Sequence, residues 1–288
     1  MSHTKLFNKL ASLAAVGYMS LCSMQASANP TPWLDGTGNW IKNQHNWQFN
    51  SAVSDEFNQP GNWQTPDPSK WNRFHPTGWL GNNSFTYNGN FAYTHNGNLV
   101  LEARPGNQVG DKHSTGIASS KDRTFKYGYF EVRAKAATNN IASSFWFFNR
   151  NPANGEQFEI DVYEHFPYQP WNSHKKFKSN IHHFVWTPED GNQDQINYYE
   201  SPVDMPNNGV VTDWHTYGVL REPGGIHFYV DGVNVRTIWK SSVPAASYPG
   251  DKEMPVILDI LVYDWQTGDN EPAQQRSFYY VDYFRVWN

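Results

Sequence analysis

The sequence predicts an all-β, two-sheet sandwich in one domain, and three observations predict it. Short β-type runs recur along the chain, turn signals separate them, and no long stretch repeats its apolar residues with a period of 3.6. The runs fall at 99–103, 127–134, 143–148, 157–164, 180–186, 214–221, 226–230, 256–262 and 278–287. Asn-Gly at 88–89 and 96–97 and Asp-Gly at 231–232 are the strongest turn markers, the last joining 226–230 to 233–235 as a hairpin. Strands this closely spaced, with no internal repeat and no linker, close most simply as two packed sheets.

Residues 1–28 precede this fold. Lys5 and Lys9 give a basic start, 10–24 is mostly apolar, and Ala26-Ser27-Ala28 is an A-x-A cleavage site, so a secretory signal peptide is expected, with the mature chain starting at Asn29. The sole cysteine, Cys22, lies inside that leader, and Met19-Ser20-Leu21 before it is a poor lipoprotein signal. The exported chain is therefore expected to be secreted or periplasmic, free of disulfides and held by its core, for which 260 residues (29–288) suffice. Loss of two lysines and no acids takes the formal charge from −5 to −7, which argues against nucleic acid or an anionic membrane as partner. No second apolar run approaches the ~20 residues of a membrane span. Residues 29–50, rich in Trp, Asn and Pro, read as an extended lead-in packed on the sandwich. With 13 Trp and 16% aromatic residues beside many Asn and Gly, the composition suits a carbohydrate ligand, whose flat C–H faces stack on rings while its hydroxyls seek amides and carboxylates.

The run 157–164 holds the strongest functional signal. Glu159-Ile160-Asp161-Val162-Tyr163-Glu164 places three acids among core-type residues, and charged groups are almost never fully buried without partners. On a regular strand Glu159 and Asp161 share a face while Ile160 and Val162 turn to the core, and Glu164 falls on the wrong side. One extra residue, a β-bulge around Val162-Tyr163, brings Glu164 back to the other two. Alternation places neighbours on the same face. With Phe145 and Phe147 in the core, Ser144, Trp146 and Phe148 face the acids; with Ile181 and Val185 in the core, so do Asn180, His182, Phe184 and Trp186. His183 then points away, which argues against a zinc site on His182-His183, since adjacent strand residues point oppositely.

Carboxyl pairs flanking a bond, in a cleft with aromatic platforms, are the machinery of glycoside hydrolysis, and a retaining mechanism needs them ~5 to 5.5 Å apart. Glu159 and Glu164 across a bulge can meet that spacing, with Asp161 between them making the three a coupled set. Charge alone does not say which Glu is the nucleophile.

Glu-Ile-Asp-Val-Tyr-Glu resembles the E-x-D-x-x-E signature of glycoside hydrolase family 16, and the likeness runs over roughly 53–288. Ser54-Asp55-Glu56-Phe57-Asn58 is similar to the family's opening, and the stretch from Tyr127 to Lys135 to its G-x-x-E-x-R-x-K strand. Trp214-His215-Thr216-Tyr217 and Phe228-Tyr229-Val230-Asp231-Gly232 resemble later elements, and Val281-Asp282-Tyr283-Phe284-Arg285-Val286 the last strand. The resemblance implies a concanavalin-like jelly roll with an open cleft on its concave sheet, Glu159 as nucleophile, Asp161 as its assistant and Glu164 as acid/base. The bulged spacing, His182 on the neighbouring strand, Lys70-Trp71-Asn72-Arg73 and Gly78-Trp79 are similar to the marine galactanases: agarases, porphyranases and carrageenases. The implied substrate is an algal polysaccharide, a red-algal galactan cut at β-1,4 bonds, contacted by Arg73, Trp79, Trp146, His182 and Trp265.

Lys175-Lys176-Phe177-Lys178, Arg73 and Arg150 are candidates for reading sulfate, leaving agarose, porphyran and carrageenan or furcellaran open. A β-1,3-glucanase and, in another class, a non-catalytic sandwich lectin are the alternatives. No cofactor is required and no metal ligand is assigned, although a structural calcium near Glu56 and Asp282 is compatible with the family. A monomer is expected.

Overall fold

A computed structural model describes residues 45, 47–107, 111–138, 141–151, 153–167, 174–186, 193–198, 201–262 and 275–288. All belong to the second of two units into which the chain divides, Thr31–Asn288; the expected leader and most of the lead-in lie outside them. In chain order the strands are β1 (Trp71–Asn72), β2 (Phe85–Tyr87), β3 (Ala92–His95), β4 (Asn98–Arg104), β5 (His113–Thr115), β6 (Ile117–Ser120), β7 (Gly128–Lys135), β8 (Ala142–Arg150) and β9 (Gln157–His165). They continue as β10 (Lys176–Trp186), β11 (Gln193–Tyr198), β12 (Val203–Asp204), β13 (His215–Glu222), β14 (Gly225–Val230), β15 (Val233–Trp239), β16 (Val256–Leu261) and β17 (Ser277–Trp287).

Two sheets form, as the strand spacing predicts. The first runs β1-β6-β16-β8-β9-β10-β11 with β12 on β10; the second runs β15-β14-β13-β7-β17-β4-β5-β2 with β3 on β4. Neighbours are antiparallel except β2 and β5, so each strand alternates between the space between the sheets and its outer face. Phe145, Phe147, Ile160 and Ile181 of the first sheet and Phe130, Val132, Val219, Val281 and Phe284 of the second fill that space with essentially no exposure.

Two of the three turn markers act as hairpins. Asn96-Gly97 and Asp231-Gly232 each take two successive positive φ angles (50° and 74°, 49° and 77°), the twist that tight hairpins between β3 and β4 and between β14 and β15 require. Asn88 caps a 3-10 turn at Gly89–Phe91 by accepting from the Asn90 N–H, so that dipeptide marks a turn as expected, though not a hairpin. The described end of the lead-in packs as expected: Asn50 donates its N–H to the Val286 carbonyl, and Phe49 lies against Trp287.

The bulge lies where the acid spacing requires it. On β10, Lys178 pairs with Glu164 and Asn180 with Asp161, so one residue of β10, Ser179, opposes two of β9, Val162 and Tyr163. On β8 the register also shifts, Phe145 meeting Tyr163 and Trp146 meeting Asp161. Tyr163 turns inward, fully buried, its ring 4.1 Å from Tyr217 on the facing sheet and packed on Phe177 and Tyr279. Tyr163→Ala should cost about 3–5 kcal/mol of stability through the cavity it leaves, measurable by urea unfolding, because this ring pins the bulge to the opposite sheet.

Candidate active site

The register converts the sequence into a grid of side chains on the outer face of the first sheet. Residues directly opposite in antiparallel pairs share a face. Phe184, Gln157 and Arg150 form one row; His182, Glu159 and Phe148 the next; Asn180, Asp161 and Trp146 a third; Lys178, Glu164, Ser144 and Asp259 a fourth. The three acids of β9 therefore occupy three successive rows.

Asp161 sits at the centre, fully buried. Asn180 Nδ2 donates to Asp161 Oδ2 at 2.8 Å, and His182 Nε2 lies 3.0 Å from the same oxygen and 3.9 Å from Glu159 Oε1. Asn180 Nδ2 also touches His182 Nε2. Atoms of Glu159, Asp161 and His182 lie within 4.8 Å of one another, and Asp161 stands between Glu159 and Glu164 and interacts with both. Burial, the larger cause, and the charge of Asp161 push the Glu159 and Glu164 carboxyls well above the usual carboxylate range. Asp161 is likewise raised, chiefly by burial. His182 opposes the rise at both Glu residues. The cluster thus retains protons where free carboxyls are ionised, and the three titrate as a set.

Beside Glu159 opens a cavity of about 540 Å³ lined by His75, Thr77, Trp79, Trp146, Phe148, Arg150, Gln157, Glu159 and Phe184. Trp146 and Phe148 come from β8 and Phe184 from β10, while the loop after β1 brings His75, Thr77 and Trp79 over the sheet. His75 stands edge-on to Trp79 and Phe148, and burial lowers its pKa to about 4, so it lines the wall as a neutral ring. Arg150 is then the charged cation of the lining.

The residues singled out from sequence separate clearly. Glu159, Asp161, Trp146 and His182 share the face assigned to them, Glu164 joins them through the bulge, and Trp79 comes from the loop to the cavity wall. Arg73 does not join them. Its guanidinium donates to the Gly89 carbonyl at 2.8 Å and is absent from the cavity lining, because the chain turns after β1 and brings His75 and Trp79 to the wall instead. Trp265 lies outside the described residues, as does the side chain of Trp186. His183 points away, stacked on Phe158 and bonded to Glu156 at 2.8 Å. Of the lysine run, Lys176 pairs with Asp204, Phe177 is core, and Lys178 faces the acids. The acids considered for calcium are each held by an arginine, Glu56 by Arg285 and Asp282 by Arg133.

Three converging carboxyls on the outer face of a jelly-roll sheet, next to an aromatic cavity, make a candidate carbohydrate cleft of the β-sandwich class. The family model described as the β-porphyranase A–D glycoside hydrolase family 16 domain matches residues 47–288, and the chain belongs to that family, in its galactanase branch. It is 26% identical over 212 residues to β-porphyranase B of Phocaeicola plebeius, covering 65% of each chain. It is 27% identical over 290 residues to β-agarase A of Zobellia galactanivorans, covering 93% of this chain and 50% of that one. The chain thus spans between half and about two thirds of these curated relatives. Among solved structures, porphyranase B of Zobellia galactanivorans superposes with a TM-score of 0.70 at 22% identity, over 90% of this chain and 99% of that one. β-Agarase A of the same organism superposes with a TM-score of 0.65 at 26% identity, over 84% and 92%.

Among the residues of the site that escaped sequence reading are His75 and Asp259. His75 sits in a loop without periodicity and carries no signal of its own. Asp259, fully buried in β16, did carry one: a lone acid inside the apolar run 256–262 poses the same question as the hexapeptide.

Proposed function

We propose that the chain is an exported, endo-acting, retaining galactanase that cuts β-1,4 bonds of a sulfated red-algal galactan of the porphyran type. The observation that carries this reading is the placement of Arg150 in an aromatic cavity on the Glu159 side of the carboxyl cluster. A planar guanidinium at the rim of a largely aromatic pocket suits a sulfate ester on a sugar whose ring stacks on Trp79 or Trp146. The names of the porphyranase and agarase relatives support the same class of polymer.

In this mechanism Glu164 protonates the glycosidic oxygen as Glu159 attacks the anomeric carbon, forming a glycosyl-enzyme ester and releasing the leaving sugar. Glu164, now a carboxylate, takes a proton from water, which attacks the anomeric carbon and frees Glu159. Glu159 and Glu164, in the rows on either side of Asp161 on one face, are compatible with the ~5 to 5.5 Å separation that retention requires. Asp161, held by Asn180 and His182, orients the nucleophile and shares its proton. Export follows from the basic, apolar and A-x-A segments of 1–28.

Reducing-sugar release from porphyran, agarose, κ-carrageenan, furcellaran and laminarin, measured in parallel, tests the substrate. Porphyran should be cut fastest; activity on laminarin alone would overturn the galactanase reading. Arg150→Met should lower kcat/KM on porphyran by about 10- to 100-fold, the worth of a hydrogen bond to a charged group, and leave cleavage of any unsulfated stretch unchanged. Equal loss on desulfated polymer would remove Arg150 from sulfate recognition.

A further inference from the structure

The fourth row of the grid holds two charges that the mechanism above does not use. Lys178 of β10 lies directly across from Glu164, and Glu164 lies across from Ser144, which lies across from Asp259 of β16. A cation and an anion therefore flank Glu164 on the same face, Lys178 one strand away and Asp259 two strands away. Strand spacing of roughly 4.8 Å puts the Asp259 backbone about 10 Å from that of Glu164, within range for charges in a largely dry floor.

Asp259 is held in place. It is 0% exposed, and Tyr87 Oη donates to its Oδ2 at 2.6 Å. The Ser144 hydroxyl and the Trp146 indole N–H approach it without closing full hydrogen bonds, leaving Oδ1 without a close partner. A carboxyl so fully buried, with one neutral donor and, among the described residues, no cation paired to it, has no evident stabilising purpose, since burial of an acid costs more than one such bond returns.

We propose that Lys178 and Asp259 are opposed electrostatic positioning residues for the proton that Glu164 hands to the leaving sugar. This rests on Glu164 being the acid/base. The groups acting on Glu164 are Glu159 and Asp161 on its own strand, His182 and Lys178 on β10, and Asp259 on β16. The Asp259 charge favours retention of the Glu164 proton, while Lys178 and His182 favour its loss. Asp259 stands in the same row as Glu164 and two rows from Glu159, so its charge acts more strongly on Glu164. Such an asymmetry pushes the two glutamates apart in proton affinity, which is how one carboxyl of a pair becomes the acid. Burial raises Asp259 itself to about 7, with Tyr87 opposing the rise, so its charge is present on the alkaline side, where Glu164 loses its proton.

The signs follow directly. Glycosylation needs Glu164 protonated, so kcat/KM falls as pH rises through its titration. Asp259→Asn removes a negative charge and should move this basic limb down by about half a pH unit; Lys178→Met removes a positive charge and should move it up by a similar amount. Tyr87→Phe takes away the donor that favours ionised Asp259 and should move the limb in the same direction as Asp259→Asn, and it serves as the reading if the asparagine variant does not fold. The experiment is the pH profile of kcat/KM on porphyran for the wild type and these variants, with Glu164→Gln as reference. Opposite shifts for Lys178→Met and the Asp259 or Tyr87 variant are expected, and the limb should vanish in Glu164→Gln. Unmoved limbs, or shifts of one sign, would overturn the opposed roles while leaving Glu164 as acid. Persistence of the limb in Glu164→Gln would instead remove the acid assignment and the proposal with it.

Discussion

Glu159→Gln is expected to lower turnover of the galactan by at least about 10⁴-fold while leaving polymer binding in place. The amide preserves the shape of the side chain beside the cavity but cannot form the glycosyl ester. It also removes one of the charges crowded around Asp161, so the remaining carboxyls have less reason to share a proton and the fold should be no less stable. Affinity electrophoresis in gels containing the polymer, run beside reducing-sugar assays, separates the two properties. A lectin reading predicts retained binding for both forms and catalysis in neither. Undiminished cleavage by the variant would sink the proposed nucleophile.

Glu164→Gln is expected to lose about 10²- to 10⁴-fold in kcat on the natural polymer, the usual worth of a general acid, and the loss should depend on the leaving group. A galactan hydroxyl needs a proton as it departs, whereas a dinitrophenolate does not. On a dinitrophenyl glycoside of the matching oligosaccharide the first step should therefore be nearly normal, the ester should accumulate for want of a base, and azide should restore turnover as a β-glycosyl azide. Uniform loss on both substrates would indicate that Glu164 only shapes the site.

The contrast between β9 and β16 shows what a sequence reveals about a site of this kind. The E-x-D-x-x-E spacing is legible because a period of two, broken by one residue, leaves only a bulge to reunite the acids, and the register on both sides of β9 contains it. Trp146, Asn180 and His182 are legible for the same reason: each stands on a strand whose apolar alternation announces its own buried face. Asp259 stands in the run Val256-Ile257-Leu258-Asp259-Ile260-Leu261, apolar on both faces, so nothing within the run says which way the acid points. Only its pairing with Ser144 does, and that pairing is tertiary. The loop residues divide on other grounds. Trp79 is a large ring that finds neighbours in Phe85 and Tyr87, whereas Arg73, directly after β1, satisfies a backbone carbonyl of the Gly89 turn. Local charge could not distinguish a guanidinium meant for a ligand from one meant for a turn. The lysine run shows the same limit resolved by parity, since Phe177 turns to the core and so commits Lys178 to the face of the acids.

The short strands β1, β2, β3, β5 and β6 were not separable in advance because two to four residues carry no measurable period. They nonetheless matter for the site. Pairing of β1 with β6, and of β6 with β16, carries the chain across the edge of the first sheet, and the loop that follows β1 supplies His75 and Trp79.

Central to the proposed function are Glu159 and Glu164, in the rows on either side of Asp161, as nucleophile and acid/base of a retaining hydrolase. The stereochemistry of the first product tests this most directly. Proton NMR of porphyran digestion, recorded before mutarotation, should show the new reducing end first as the β-anomer, with the α-anomer growing in later. Initial appearance of the α-anomer would mean that water attacks directly, and the roles given to Glu159 and Glu164 would be wrong.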